Sequence, residues 1–140
     1  MKTAGFNFKK IFGERTGNSL GELKIETGIS ISEIKPFNSP LKSKEEPLEI
    51  DFDYIVNYNP EFAKIELAGT LIVALEPKIA KEVLKEWKEK KIPEKFKINL
   101  FNNILKKATI KAIQVEDELH LPPHINLPTI AGKQGEQDKN

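Results

Sequence analysis

Hydrophobic positions recur at every second residue through the first half of the chain and at every third or fourth through the second. Phe6, Phe8 and Phe12 alternate with polar residues and predict a first strand, followed by a turn rich in Gly, Asn and Ser over 13–21. From Leu23 the alternation is clean. Leu23, Ile25, Ile29 and Ile31 fall on one face and Lys24, Glu26, Ser30 and Ser32 on the other, the pattern of a half-buried strand. Pro36, Pro40 and Pro47 mark residues 35–47 as a loop. The third strand sets Leu48, Ile50, Phe52, Tyr54, Val56 and Tyr58 against Glu49, Asp51, Asp53 and Asn57. Asn59-Pro60-Glu61 has hairpin-turn chemistry. A return strand from Phe62 to Leu75 carries Ile65, Leu67, Leu71, Val73 and Leu75 in register, and Gly69 predicts a bulge or bend within it.

The second half reads as helix. Pro77 suits a first helical turn, and Ile79, Ala80, Val83, Leu84 and Trp87 make one apolar stripe. Pro93 marks a break. Beyond it, Ile98, Phe101, Leu105, Ala108, Ala112, Val115 and Leu119 follow alternating spacings of three and four. That stripe fits a coiled-coil seam. It also fits an amphipathic helix lying on a sheet, and a sheet with one apolar face needs such a cover. Leu121 to Pro128 is then an extended apolar segment stiffened by prolines. The pattern predicts one α+β domain over 1–130: a four-stranded antiparallel sheet followed by two helices covering one face. Residues 131–140 have the composition of a polar flexible tail.

Composition narrows the chemistry. A chain of 140 residues makes one domain with a sizeable core. It has no cysteine, which removes disulfides, thiolate metal sites and cysteine nucleophiles. Charges are dense but balanced, 22 basic against 21 acidic, and Arg15 is the only arginine. Bidentate recognition of phosphates or base edges, for which arginine is preferred, is therefore disfavoured. Abundant lysine and glutamate suggest a thermophile. No leader-like or membrane-spanning apolar run is present, so a cytoplasmic protein without membrane insertion is the expectation.

No catalytic constellation emerges, and an enzyme is the least supported class. His120 and His124 lie four apart, but Pro122 and Pro123 break the helix that would place them on one face. The prolines instead position His124 as a hydrogen-bonding cap on the surface, with no metal expected. Glu49, Asp51 and Asp53 share the wet face of the third strand and mark solvent or a partner-docking surface rather than paired acid–base groups. Gly13, Gly17 and Gly21 do not form a phosphate-binding loop, so no nucleotide or other cofactor is expected. Lys88, Lys90, Lys91, Lys95 and Lys97 are a patch that glutamates interrupt, a weak case for nucleic acid.

Four antiparallel strands followed by two helices is also the order of SecB, the export chaperone. The stretch Ala68-Gly69-Thr70-Leu71-Ile72-Val73-Ala74-Leu75-Glu76 resembles the end of the last SecB strand leading into the first helix. Leu121-Pro122-Pro123-His124-Ile125-Asn126-Leu127-Pro128 resembles the proline- and leucine-containing segment that follows the long SecB helix. The resemblance implies a SecB-like fold and an ATP-independent holdase that binds non-native polypeptides. It also implies a homo-oligomer, a dimer or a dimer of dimers, as the uncovered sheet face would require. The chain departs from the family in charge, since SecB is strongly acidic where it docks the SecA motor, and its tail has neither Cys nor His. A translocase partner is thus less well supported than client binding.

A holdase needs exposed apolar surface. The expected groove lies between the sheet and the second helix with its proline segment, lined by Trp87, Phe96, Phe101, Leu119, Leu121 and Ile125; the alternative is that these residues fill the core. Rival readings are an interaction module with one specific protein partner and a weak nucleic-acid binder.

Overall fold

The computed structural model describes residues 1–17, 21–38 and 44–128. The tail expected over 131–140 and the middle of the 35–47 loop lie outside the described residues. Four long strands, β1 (Lys2–Arg15), β2 (Lys24–Pro36), β3 (Glu46–Asn59) and β4 (Ala63–Leu75), precede helices α1 (Pro77–Trp87) and α2 (Glu94–Glu118). The strands form one antiparallel sheet in the order β1-β4-β3-β2. This is the α+β arrangement that the alternation predicts. β2, β3 and β4 follow one another as hairpins, whereas β1 crosses to the far edge to pair with β4, a Greek-key connection.

The alternation of β3 is obeyed to the letter. Leu48, Ile50, Phe52, Tyr54, Val56 and Tyr58 are all buried on the face that the helices cover. Opposite them on β4 stand Val73, Leu71, Gly69, Leu67, Ile65 and Ala63. The other face carries the acids and lysines. There Glu66 accepts from Lys10 at 2.7 Å and lies 3.2 Å from Lys64, contacts that hold its carboxyl below the usual range. Asp51 takes the Thr70 hydroxyl at 2.8 Å and Lys9 at 3.4 Å.

Three register shifts interrupt simple alternation, two in β1, between Thr3 and Gly5 and between Phe8 and Lys10, and one in β2. The β3–β4 ladder runs unbroken through Gly69; the bulge lies across from it in β1, between Phe8 and Lys10. That extra residue reverses the faces of β1. Phe6 and Phe8 point to the core, but Phe12 pairs with Glu66 on the outer face and Ile11 takes the inner position. The three phenylalanines therefore do not share one face. β2 has a similar shift between Ile31 and Glu33, which returns Ile34 to the core. Gly69 is needed for a different reason. A Cβ there would collide with the Asn7 carbonyl oxygen and come 2.8 Å from the Phe52 ring. Its absence lets Phe52 sit against Phe6 and Phe8 with ring centroids 5.3 and 6.3 Å away.

Both helices end in the same way. Lys91 N–H reaches the Glu86 carbonyl and Lys90 N–H that of Trp87; Leu121 N–H reaches Glu116 and His120 N–H Asp117. These are Schellman closures, each with a left-handed residue, Lys90 at φ 60° and His120 at φ 55°. The sole arginine reinforces the second. From the end of β1, Arg15 donates to the carbonyls of Leu119 and His120 at 3.1 and 2.8 Å, with its guanidinium over the Phe62 ring. Gly13 permits the approach, since a Cβ there would lie 2.5 Å from Val115.

α2 does not use the expected stripe. Its buried residues are Phe96, Leu100, Ile104, Ala108, Ala112 and Glu116, one at every fourth position. That row and the 3–4 row meet at Ala108 and Ala112, so the middle of the helix is as expected. Ile98 and Leu105 are exposed, and Phe101, Val115 and Leu119 lie at the margin of the core. A row of i, i+4 positions leans across the helix axis, and its lean suits a helix laid on a twisted sheet. On α1, Ala80 and Val83 are buried, Leu84 and Trp87 are at the margin, and Ile79 is exposed.

The two rows are separable by mutation. Ile104→Ala should cost about 2–5 kcal/mol in urea unfolding because it leaves a cavity. Ile98→Ala, measured in dilute solution, should cost less than about 0.5 kcal/mol. Equal costs would contradict the seating of α2.

Candidate polypeptide-binding site

The end of α1, the turn after it, the start of α2 and the inner edge of β2 do not close on one another. Between them lies an open cleft of about 570 Å³, lined by Ile31, Glu86, Trp87, Lys90, Lys91, Ile92, Lys97 and Phe101. Its size falls within the range of ligand sites, roughly 300–1,000 Å³. The apolar lining comes from local geometry. Trp87 is the last residue of α1, and the left-handed turn at Lys90 brings Ile92 round beside it. Phe101 sits beside the buried row of α2 and so faces sideways rather than down. Trp87 is fixed by its indole N–H, which donates to Glu33 on β2 at 3.1 Å. Lys90 Nζ stands 4.6 Å from the Trp87 ring centroid and Lys97 Nζ 5.7 Å from that of Phe101. The result is an apolar floor with a cationic rim.

The residues expected to line one groove are divided by the fold. Trp87 and Phe101 share this cleft. Phe96 and Leu121 are core residues, each 6% exposed. Leu119 borders a second cleft, with Ile11 and Val115, between the edge of β1 and the end of α2. Ile125 projects from the proline segment, 41% exposed. The acidic row lies on the opposite side of the sheet: Glu49 faces Lys35 at 3.7 Å, Asp51 is engaged with Thr70 and Lys9, and Asp53 is half-buried beside them. Ile31 and Ile92 were not singled out by sequence. Ile31 was legible only as a strand residue, and Ile92 stood in a presumed helix break.

His124 is not a surface cap. Its imidazole and the Glu116 carboxyl are each 1% exposed, with Nδ1 2.6 Å from Oε2. The His124 backbone N–H donates to Oε1 at 3.2 Å, and Nε2 lies 2.9 Å from the Tyr54 hydroxyl. Tyr58 donates to the Pro122 carbonyl beside them. His124 Nδ1 faces Glu116 Oε2, and Nε2 shares a hydrogen bond with the Tyr54 hydroxyl whose direction follows the imidazole tautomer. A buried carboxylate thus ties the proline segment to the sheet. The signal for this was faint: two tyrosines on an otherwise wholly apolar buried face, whose hydroxyls must find partners.

No family model matches the chain, and no curated protein matches it in sequence. Among solved structures, it is similar to a SecB-like chaperone. That protein is Rv1957 of Mycobacterium tuberculosis, in complex with a ChAD peptide from the Rv1956 HigA1 antitoxin. Identity is 9% and the TM-score 0.48, over 94% of this chain and 91% of that one. Likeness at this level transfers no residue role.

Among the described residues no group of three or more His, Asp or Glu is arranged to hold a metal ion, and no helix is long and apolar enough to cross a membrane.

Burial raises the pKa of both Tyr54 and Tyr58, and the nearby Glu116 charge raises them further, while Thr109 partly offsets the effect at Tyr54. The folded protein therefore keeps phenolic protons that the unfolded chain releases. Stability from this source is complete below about pH 10 and declines as pH rises beyond it. In an alkaline titration, tyrosinate absorbance should stay flat past pH 10 and rise only with loss of circular dichroism. Ionisation near pH 10 in a folded chain would contradict the buried network.

Proposed function

We propose that this chain binds extended or non-native polypeptide in the Trp87–Phe101 cleft and acts as an ATP-independent holdase. The observation that carries the proposal is an apolar floor of half-buried Trp87, Phe101, Ile31 and Ile92 left open to solvent in one cleft. Two half-buried rings at the mouth of a cleft suit side chains that an unfolded client exposes, because apolar burial is non-directional and indifferent to sequence. The sequence resemblance to SecB in strand order and in the proline segment supports the same reading, with the cytoplasm as its setting. A role in export rests on that resemblance alone.

The expected outcome is that stoichiometric amounts of the protein suppress light scattering from a thermally unfolding client. Trp87→Ala combined with Phe101→Ala should abolish most of that protection at temperatures where circular dichroism shows the variant still folded. Unaltered client aggregation in the presence of the wild-type protein would refute the holdase reading.

We further propose that the chain self-associates through the outward side of α2. Ile98 is 53% and Ile110 60% exposed there, with Leu105 between them. No acidic residue occurs from Lys95 to Val115, although the chain as a whole has 21. Asn99, Asn102 and Asn103 add uncharged polar groups to the same side. An apolar patch free of acids, with Lys106 among its lining, is the kind of exposed surface that marks an interaction site. Sedimentation equilibrium should show a dimer or tetramer that Ile98→Glu with Ile110→Glu disperses. A monomer at every concentration would overturn this.

A further inference from the structure

We infer that the Trp87–Phe101 cleft selects polypeptide segments in which acidic residues flank an apolar side chain. The inference rests on reading the cleft as a polypeptide site and names the chemistry of its occupant. Three lysines, Lys90, Lys91 and Lys97, share the lining with one acid, Glu86. Their placement matters more than their number. Lys90 and Lys97 hold their ammonium groups over the Trp87 and Phe101 rings, so whatever reaches the apolar floor passes between two cations. Among the described residues neither is in an ion pair, while Lys91 meets Glu89 at 3.9 Å with both side chains largely exposed. The outer sheet face is different, since Lys9, Lys10, Lys35 and Lys64 all have carboxylates there. Glu33, beside the cleft on β2, is engaged by the Trp87 indole. A carboxylate arriving with an apolar side chain would pair with cations that have none, and a basic segment would meet uncompensated repulsion.

Single-stranded nucleic acid is the competing polyanion. Its binding by such a patch depends on open aromatic faces for base stacking. Here lysine Nζ atoms stand over both rings, and the aliphatic side chains of Ile31 and Ile92 line the rest of the floor, which favours peptide.

The test uses the full chain and labelled peptides that share one Leu-Phe-Leu centre, flanked by glutamate, glutamine or lysine. Anisotropy gives the affinities, and the fluorescence of Trp87, the only tryptophan, reports occupancy of the cleft. At low salt the glutamate-flanked peptide should bind roughly fivefold tighter than the glutamine-flanked one, with the lysine-flanked peptide weakest. The spread should narrow at high salt, and Lys90→Glu with Lys97→Glu should reverse the order. Equal binding of all three with a full Trp87 response would overturn the charge selection and leave the polypeptide reading standing. No binding and no Trp87 response would remove both. A single-stranded oligonucleotide that displaces the glutamate-flanked peptide at lower concentration than unlabelled peptide would overturn the inference in favour of nucleic acid.

Discussion

A twisted sheet with one apolar face imposes a winding contact line on any helix that covers it, and the rest of this molecule follows from how α2 meets that demand. A row of every-fourth residues leans about 26° from the helix axis, so it stays on the sheet while the helix turns beneath it. Six residues from Phe96 to Glu116 form the row, with small Ala108 and Ala112 allowing close approach at its middle. Because contact follows this row, Phe101 is left to one side and Ile98 on top. The open cleft and the acid-free outer surface of the helix are thus two results of one packing choice. Where α2 descends to the sheet determines what it leaves bare.

The last member of the row is an acid. Glu116 reaches the position where an aliphatic residue would be expected, and the fold answers with His124 from the segment just beyond the helix. Removing either partner would leave the polar atoms of the other buried and unpaired, so the pair helps hold the path of 119–128 beside the buried Leu121. Arg15 secures the same turn from the opposite side through the carbonyls of Leu119 and His120. The end of α2 is therefore fixed by polar contacts, whereas its beginning is fixed by Phe96 and Leu100 in the core. The cleft lies at that apolar end.

Much of the architecture was legible in sequence, and the reason is β3. A strand with one wet face must alternate, and six buried positions in a row state its register without ambiguity. The same logic failed in β1, because one extra residue at a bulge inverts every later side chain and leaves no mark in composition. It also failed on α2, where two apolar rows overlap at the alanines and only the twist of the sheet decides between them. Of the site, Trp87 and Phe101 could be picked out as large aromatics near helix ends. Ile31 and Ile92 could not, since their proximity depends on the left-handed turn at Lys90. The pairing of Glu116 with His124 was not legible, because a lone acid on a helix and a histidine among prolines each look like surface residues until the fold brings them within 2.6 Å.

The position of β1 bears on how the chain is made. β2, β3 and β4 can pair as successive local hairpins, but β1 has its place only beside β4, with Lys2 opposite Ala74. Arg15 then closes onto carbonyls 104 and 105 positions further along. Contacts so distant in sequence form slowly. During vectorial synthesis the first strand emerges early and waits, with Phe6 and Phe8 uncovered, until β4 has left the ribosome. For that interval the nascent chain displays the kind of unburied aromatic surface that its finished cleft is suited to hold.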